Sequence, residues 1–234
     1  MLSVNRACSY DCDHMKRSVS APDKAAWATL TQQHPDLARV PAGLRAHAGD
    51  ARATAGEVLS RIGSRPGFML FVLDGEIRLV RRARNGAEIV LQRAADGFAA
   101  EASLESPRYH CDIVAACDSR FLRFPVASFR EALRDDTDFR AFWMTRLTHE
   151  LRKLRAQCER LSLHGAAERI EHYIESEGND GRLTLRQTRR AWAAELGMTH
   201  ETLYRTLATL KRAGRINTKD EGGVLVLSMA SARS

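Results

Sequence analysis

No stretch of this chain approaches the roughly eighteen uninterrupted apolar residues that a bilayer span needs, so no segment is expected to cross a membrane. The opening segment MLSVNRACSYDCDHMKRS carries charges and cysteines where a secretory leader needs an apolar core, and export is not expected. Cysteine is sparse and odd in number. Cys8, Cys12, Cys111, Cys117 and Cys158 are spread over 234 residues, which argues against a disulfide framework and for reduced thiols in a cytoplasmic protein. Missing too are the short signatures of common enzyme chemistry: a Gly-rich phosphate loop, a Gly-x-Ser-x-Gly elbow and a His-Glu-x-x-His helix. Glu101 and His110 could pair as acid and base, but a lone pair of this kind is more often structural, and no enzyme is expected. Acidic residues are in deficit: 29 Asp and Glu stand against 36 Lys and Arg, a formal charge of +7. That balance favours a polyanionic partner, because each cation set against phosphate releases condensed counterions.

What is present falls into four stretches: an arm over residues 1–20, a sensor-like domain over 21–137, a long helix over 138–162 and a C-terminal domain over 163–234. The arm has no periodicity and reads as mobile. Residues 22–48 hold a Pro-started helical pattern with Trp27 and Leu30, then a second short one near Leu37 to Leu44. Short β-like runs follow, EVLSRI, FMLFVL, EIRLVRRA, AEIVLQRA, HCDIVAA and RFLRFP. Turn signals at Gly63, Asp74-Gly75, Asn85-Gly86, Asp96-Gly97 and Asp118-Ser119 separate them, which predicts an antiparallel sandwich or barrel. Asn85-Gly86 is the strongest hairpin signal, since both residues tolerate positive φ.

Beyond Val126 the period changes from two to three-four. Met144, Leu147, Leu151, Leu154, Cys158 and Leu161 draw one narrow apolar seam on a sequence free of Gly and Pro. A narrow seam suits a second helix, so a homodimer is expected there; an ordinary helix lying on its own domain is the alternative. Arg146, Glu150, Arg152, Lys153, Arg155, Glu159 and Arg160 occupy the other faces, which are expected to be solvated.

The segment LRQTRRAWAAELGMTHETLYRTLATLKRAGRI has the anatomy of a helix-turn-helix. A first helix over 186–196 packs Trp192 and Leu196, Gly197 turns the chain, and Thr199 caps a second helix over 200–213. Leu203, Leu207 and Leu210 face inward, leaving His200, Glu201, Tyr204, Arg205 and Thr209 outward. A helix entering a major groove needs such a face near its N-terminus. Arg205 can fork onto guanine, while Glu201 can accept from cytosine or orient the arginine. Arg189, Arg190, Lys211 and Arg212 are placed to hold phosphates. Between residues 186 and 215, seven basic residues face two acidic ones, so the excess charge is concentrated where contact is expected. A helical pair used for protein contact is the rival reading.

With LDGEIRLVRRARNGAEIVLQRAADGFAAEASL ahead of a seam helix and ELGMTHETLYRTLATLKRAGRI behind it, the chain resembles the Crp/Fnr family from about residue 45 to 228. His200, Glu201, Thr202 and Arg205 match the family's recognition-helix pattern, with His200 where the cyclic-AMP receptor branch has arginine. The resemblance implies an α+β fold: an N-terminal antiparallel β-roll like a cyclic-nucleotide-binding domain, a long dimerisation helix and a C-terminal winged helix-turn-helix. It also implies a homodimer on a palindromic operator in double-stranded DNA, acting with RNA polymerase.

In nucleotide-binding members, a Gly-Glu-Leu-like segment and an Arg-Ser or Arg-Thr about ten residues on cradle the ribose and cyclic phosphate. Glu101 matches the glutamate, but Ala100 replaces the glycine and Cys111-Asp112 stand where arginine and hydroxyl would be. An aspartate there repels a cyclic phosphate, which argues against cyclic nucleotide unless a shifted loop brings in Arg108. His110, Cys111, Asp112 and Cys117 take that place, the two cysteines on one face if the strand runs unbroken. Cys8, Cys12 and His14 form a second thiol and imidazole group in the arm. Two readings stand: a thiophilic metal or redox signal shared by these groups, or buried structural cysteines in a ligand-independent regulator.

Overall fold

The computed structural model describes residues 20–82, 84, 88–185, 187–221 and 224–230; Cys8, Cys12, His14, Arg186 and the Asn85-Gly86 turn lie outside these. The chain divides into two compact units, one up to Thr145 and one from Arg146, so the division falls inside a helix. None of the helices is long and apolar enough to cross a membrane among the described residues.

In the first unit Asp23 caps helix α1 (Lys24–Gln33), its carboxylate accepting from the Ala26 amide at 2.8 Å. Trp27 and Leu30 are buried from that helix, as their spacing predicts. The second helical pattern is two short helices, α2 (Pro35–Ala38) and α3 (Ala42–Arg45), rather than one. Pro41 separates them because its ring admits no helical hydrogen bond. Arg45 holds the pair together, donating to the carbonyls of Leu37, Ala38 and Val40.

Strands β1 (Gly49–Ala53), β2 (Val58–Ser60), β3 (Phe68–Asp74), β4 (Ile77–Arg82), β5 (Glu88–Ala94), β6 (Gly97–Ala99), β7 (Asp112–Ala115) and β8 (Ser119–Pro125) make two antiparallel sheets, ordered β1-β8-β3-β6 and β2-β7-β4-β5. Leu70, Val72, Ile77, Leu79, Tyr109, Cys111, Ile113 and Phe121 share one buried core. The run FMLFVL is apolar without alternation because its other face is covered too. Phe71 meets Phe98 edge-on at 4.9 Å, and Phe98 meets Phe129 and Trp143 at 5.8 and 5.1 Å. Helices α4 (Val126–Asp135) and the first part of α5 (Thr137–Ser162) supply those last partners. The sequence gives no sign of β1, GDARA, which has no apolar alternation; pairing with β8 and an Asp50–Arg120 ion pair at 2.5 Å make it a strand. Gly75 turns β3 into β4 at φ 84°, where a Cβ would lie 2.5 Å from the Asp118 carbonyl oxygen, so only glycine fits.

The second unit contains the rest of α5, then α6 (Ala166–Glu177), β9 (Arg182–Leu185), α7 (Arg189–Glu195), α8 (His200–Arg212), β10 (Ile216–Glu221) and β11 (Val224–Met229). A three-stranded sheet, β10-β11-β9, lies beside the helices, and the β10–β11 hairpin is the wing. Trp192, Leu196, Leu203, Leu207, Leu210, Ile170, Ile174 and Leu227 form its core. The helical periodicity ending at Gly178 and the final strand VLVLS are present as read, whereas β9, which alternates over only four residues, and the polar β10 escape the sequence pattern.

Candidate nucleic-acid interface and effector loop

Helix α7 starts at Arg189, three residues later than its sequence pattern, because the Thr188 hydroxyl accepts from the Ala191 amide and sets the start. Gly197, at φ 64°, makes the turn. Thr199 then caps α8, its hydroxyl accepting from the Thr202 amide at 3.1 Å. Leu203, Leu207 and Leu210 are buried, and His200, Glu201, Tyr204, Arg205, Thr209, Lys211 and Arg212 are exposed. Glu201 and Arg205 lie one turn apart on that face. Arg190 is exposed on α7.

A link between the two helices is not legible in the sequence. Arg189 Nη1 donates to Tyr204 Oη at 3.1 Å, its guanidinium sits 5.4 Å over the ring, and His200 meets the same ring edge-on at 4.6 Å. Arg189, expected at phosphate, and Tyr204, expected toward bases, are thus one cluster. Ring and guanidinium attract through the aromatic quadrupole, which stiffens both side chains.

The second unit also buries a charge that the sequence pattern places in water. Arg160, expected on the solvated side of the long helix, is fully buried. Its Nη2 donates to Ser176 Oγ and Glu177 Oε1, both at 3.1 Å, its Nη1 lies 3.9 Å from Glu195 Oε1, and the guanidinium stacks 4.3 Å over Tyr173. The acidic ends of α6 and α7 offset its charge in the interior, although Nε and Nη1 make no hydrogen bond among the described residues. Burial, then the charges of Glu195 and Glu177, push the Tyr173 hydroxyl well above its ordinary range, so it stays protonated. Gln187 donates to that hydroxyl at 3.2 Å.

Along the seam Met144, Leu151, Leu154 and Leu161 are exposed, at 58, 48, 51 and 47%. Cys158 is exposed as well, and Leu147 is half-buried.

In the first unit Glu101 opens a 3₁₀ turn (Glu101–Ser103) directly after Ala100, which has φ 68°, a left-handed conformation that L-residues rarely adopt. Gln92 Nε2 donates to Glu101 Oε2 at 2.8 Å, and Gln92 Oε1 accepts from the Ala100 amide at 3.2 Å. Ser103 Oγ is buried without a hydrogen-bond partner among the described residues. Arg108 Nη1 donates to the Gly63 carbonyl at 2.8 Å, and Asp112 Oδ1 accepts from the Ile62 amide at 2.7 Å. His110 is exposed. Cys111 is buried in the core, and burial, then the Asp112 charge, push its thiol up. The strand does not run unbroken to Cys117: β7 ends at Ala115, and Cys117 sits exposed in the turn before β8. The even spacing therefore does not bring the two thiols onto one face. Among the described residues no three His, Cys, Asp or Glu side chains gather as a metal site. Cys8, Cys12 and His14 lie outside those residues.

Residues 51–136 match the cyclic nucleotide-binding domain family, and residues 145–231 match the Crp-like helix-turn-helix domain family. No curated protein matches the chain. Among solved structures, FixK2 from Bradyrhizobium japonicum is 21% identical with a TM-score of 0.59, covering 77% of this chain and 92% of that one. A CooA variant from Carboxydothermus hydrogenoformans is 18% identical with a TM-score of 0.60, covering 78% and 83%. The c-di-GMP responsive regulator CLP of Xanthomonas campestris is 19% identical with a TM-score of 0.54, covering 78% and 95%. At these identities the structural likenesses speak for the fold alone. With both family matches falling in order on the β-sheet unit and on the helix-turn-helix, the chain belongs to the Crp/Fnr family of DNA-binding transcription regulators.

Proposed function

We propose that the chain acts as a homodimer that recognises a palindromic operator in double-stranded DNA. The exposed face of α8 carries this reading: Glu201, Tyr204 and Arg205 point away from a core of Leu203, Leu207 and Leu210. Arg205 reads guanine and Glu201 accepts from cytosine, with His200 and Tyr204 beside them. Thr199, Arg189, Arg190, Lys211 and Arg212 hold the backbone phosphates. The seam of Met144, Leu147, Leu151, Leu154, Cys158 and Leu161, exposed except for the half-buried Leu147, packs against its copy, because a wet apolar stripe of this length is otherwise unfavourable. Two recognition helices must reach major grooves about 34 Å apart, so a small rotation of the seam helices resets affinity. On its operator the dimer acts through RNA polymerase.

For the signal, Ala100 and Asp112 disfavour a cyclic nucleotide. A thiol or metal signal would engage Cys111, Cys117, His110 and the arm residues Cys8, Cys12 and His14. A ligand-independent regulator is the second reading, favoured by the internal pairing of Glu101, Arg108 and Asp112.

Selection of bound DNA from a random pool tests both, using protein as isolated and after reductant and chelator. One palindrome enriched in both states supports the ligand-independent regulator, and enrichment in one state only supports a thiol or metal signal. An enriched sequence without two-fold symmetry would count against the dimer.

A further inference from the structure

One side chain in the first unit answers two neighbouring polar groups at once. Gln92, on β5, accepts from the Ala100 amide at 3.2 Å and donates to Glu101 Oε2 at 2.8 Å. An amide N–H beside a carboxylate is a donor–acceptor pair, and the group that matches it presents an acceptor and a donor side by side, as a hydroxyl or a primary amide does. Here the chain supplies that amide itself. Ala100 is 1% exposed and holds φ 68° with its N–H engaged, so the backbone is kept in an unfavourable conformation while the bond is made. Three polar groups nearby are answered from within as well, Asp112 by the Ile62 amide, Arg108 by the Gly63 carbonyl and the buried Tyr109 hydroxyl by the Phe68 carbonyl at 3.2 Å, while Ser103 Oγ has no partner among the described residues.

We infer that Gln92 is an internal occupant of the effector loop, a side-chain amide seated where a hydroxyl-bearing ligand would bind, which holds the loop in its DNA-competent state without a small molecule. This rests on the reading of the chain as a DNA-binding regulator whose first unit governs the second. A ligand competing for the Ala100 amide and Glu101 must expel the Gln92 amide, which weakens its binding by about tenfold or more. Losing the amide frees the Ala100 N–H and unties β5 from the turn at Glu101.

Three measurements on the full chain test this, comparing wild type with Gln92→Ala and Gln92→Glu, the latter setting a second carboxylate against Glu101. Amide exchange at Ala100 should rise about tenfold or more in Gln92→Ala, which removes the acceptor, whereas Gln92→Glu keeps an acceptor and loses only the donor to Glu101. Operator affinity should fall about tenfold, with binding to mixed-sequence DNA unchanged. Calorimetric titration of the wild type with cyclic AMP and cyclic GMP should give no binding and no change in operator affinity. Unchanged exchange at Ala100 in a folded Gln92→Ala protein overturns the internal occupant. Raised exchange with unchanged operator affinity reduces the bond to a structural role, and cyclic nucleotide binding by the wild type overturns the closed seat. Failure of the wild type to select any operator would sink the regulator reading, while the exchange arm still decides whether Gln92 holds the loop.

Discussion

The two units treat their polar side chains in opposite ways. In the first, charged and amide groups of the effector loop end on main chain or on one another: Glu101 on Gln92, Arg108 on Gly63, Asp112 on Ile62. In the second, the recognition face leaves Glu201 and Arg205 exposed, while the buried Arg160 is answered from α6 by Ser176 and Glu177. A surface made to contact another molecule keeps its donors and acceptors available. A loop in which Glu101, Arg108 and Asp112 are already answered, with only the buried Ser103 hydroxyl left without a partner among the described residues, has little charge to offer a ligand.

The strongest way to break this contrast is at Arg160. Replacing it with alanine removes the partner of Glu177 and Glu195 and should destabilise the second unit by about 3 kcal/mol. The same change at the partly exposed Arg120, paired with Asp50, should cost about 1 kcal/mol of the first unit's stability. Chemical unfolding followed separately in the two units measures both, and equal losses would erase the distinction. Next comes Arg205→Ala, expected to weaken operator binding by about 1–3 kcal/mol while mixed-sequence DNA is held nearly as before. Equal losses on both DNAs in an anisotropy titration would argue against base readout. A smaller effect separates the turns of the two units. The second makes its tight turn with Gly197, whereas the first leaves Ala100 at positive φ, so Ala100→Gly should raise the first unit's unfolding midpoint by about 0.5–1 kcal/mol of stability. A loss instead would mean the backbone carries no strain there. Smallest is Tyr204→Phe, which keeps the ring against His200 but removes the acceptor for Arg189; operator affinity should fall about two- to threefold, without change in base preference. A changed preference in a binding-site selection would move Tyr204 from holding Arg189 to reading bases.

How much of this was legible in the sequence differs by element. Helices α6 and α8 and most strands of the first unit carry strong periodicity or turn residues, and the cap at Thr199 follows from a side chain that satisfies an orphan amide. Short polar strands such as β1 and β10 carry no such pattern, since neighbours in the sheet, rather than their own residues, make them strands. The recognition face was readable because one helix supplies nearly all of it. Helical spacing puts Arg160 on the polar side of α5 but does not tell whether another element covers that side.

By itself, the sequence determined the main helices and the patterned strands, the helix-turn-helix with its outward polar face, the apolar seam and the family, because all of these depend on local spacing or on motifs within a few residues. Only the tertiary structure decided that Arg160 is buried against Glu177, that Arg189 is tied to Tyr204 across fifteen residues, and that Gln92 answers Ala100 and Glu101. These contacts join side chains from different elements. Their existence depends on where packing places each element, and no periodicity along the chain encodes that placement.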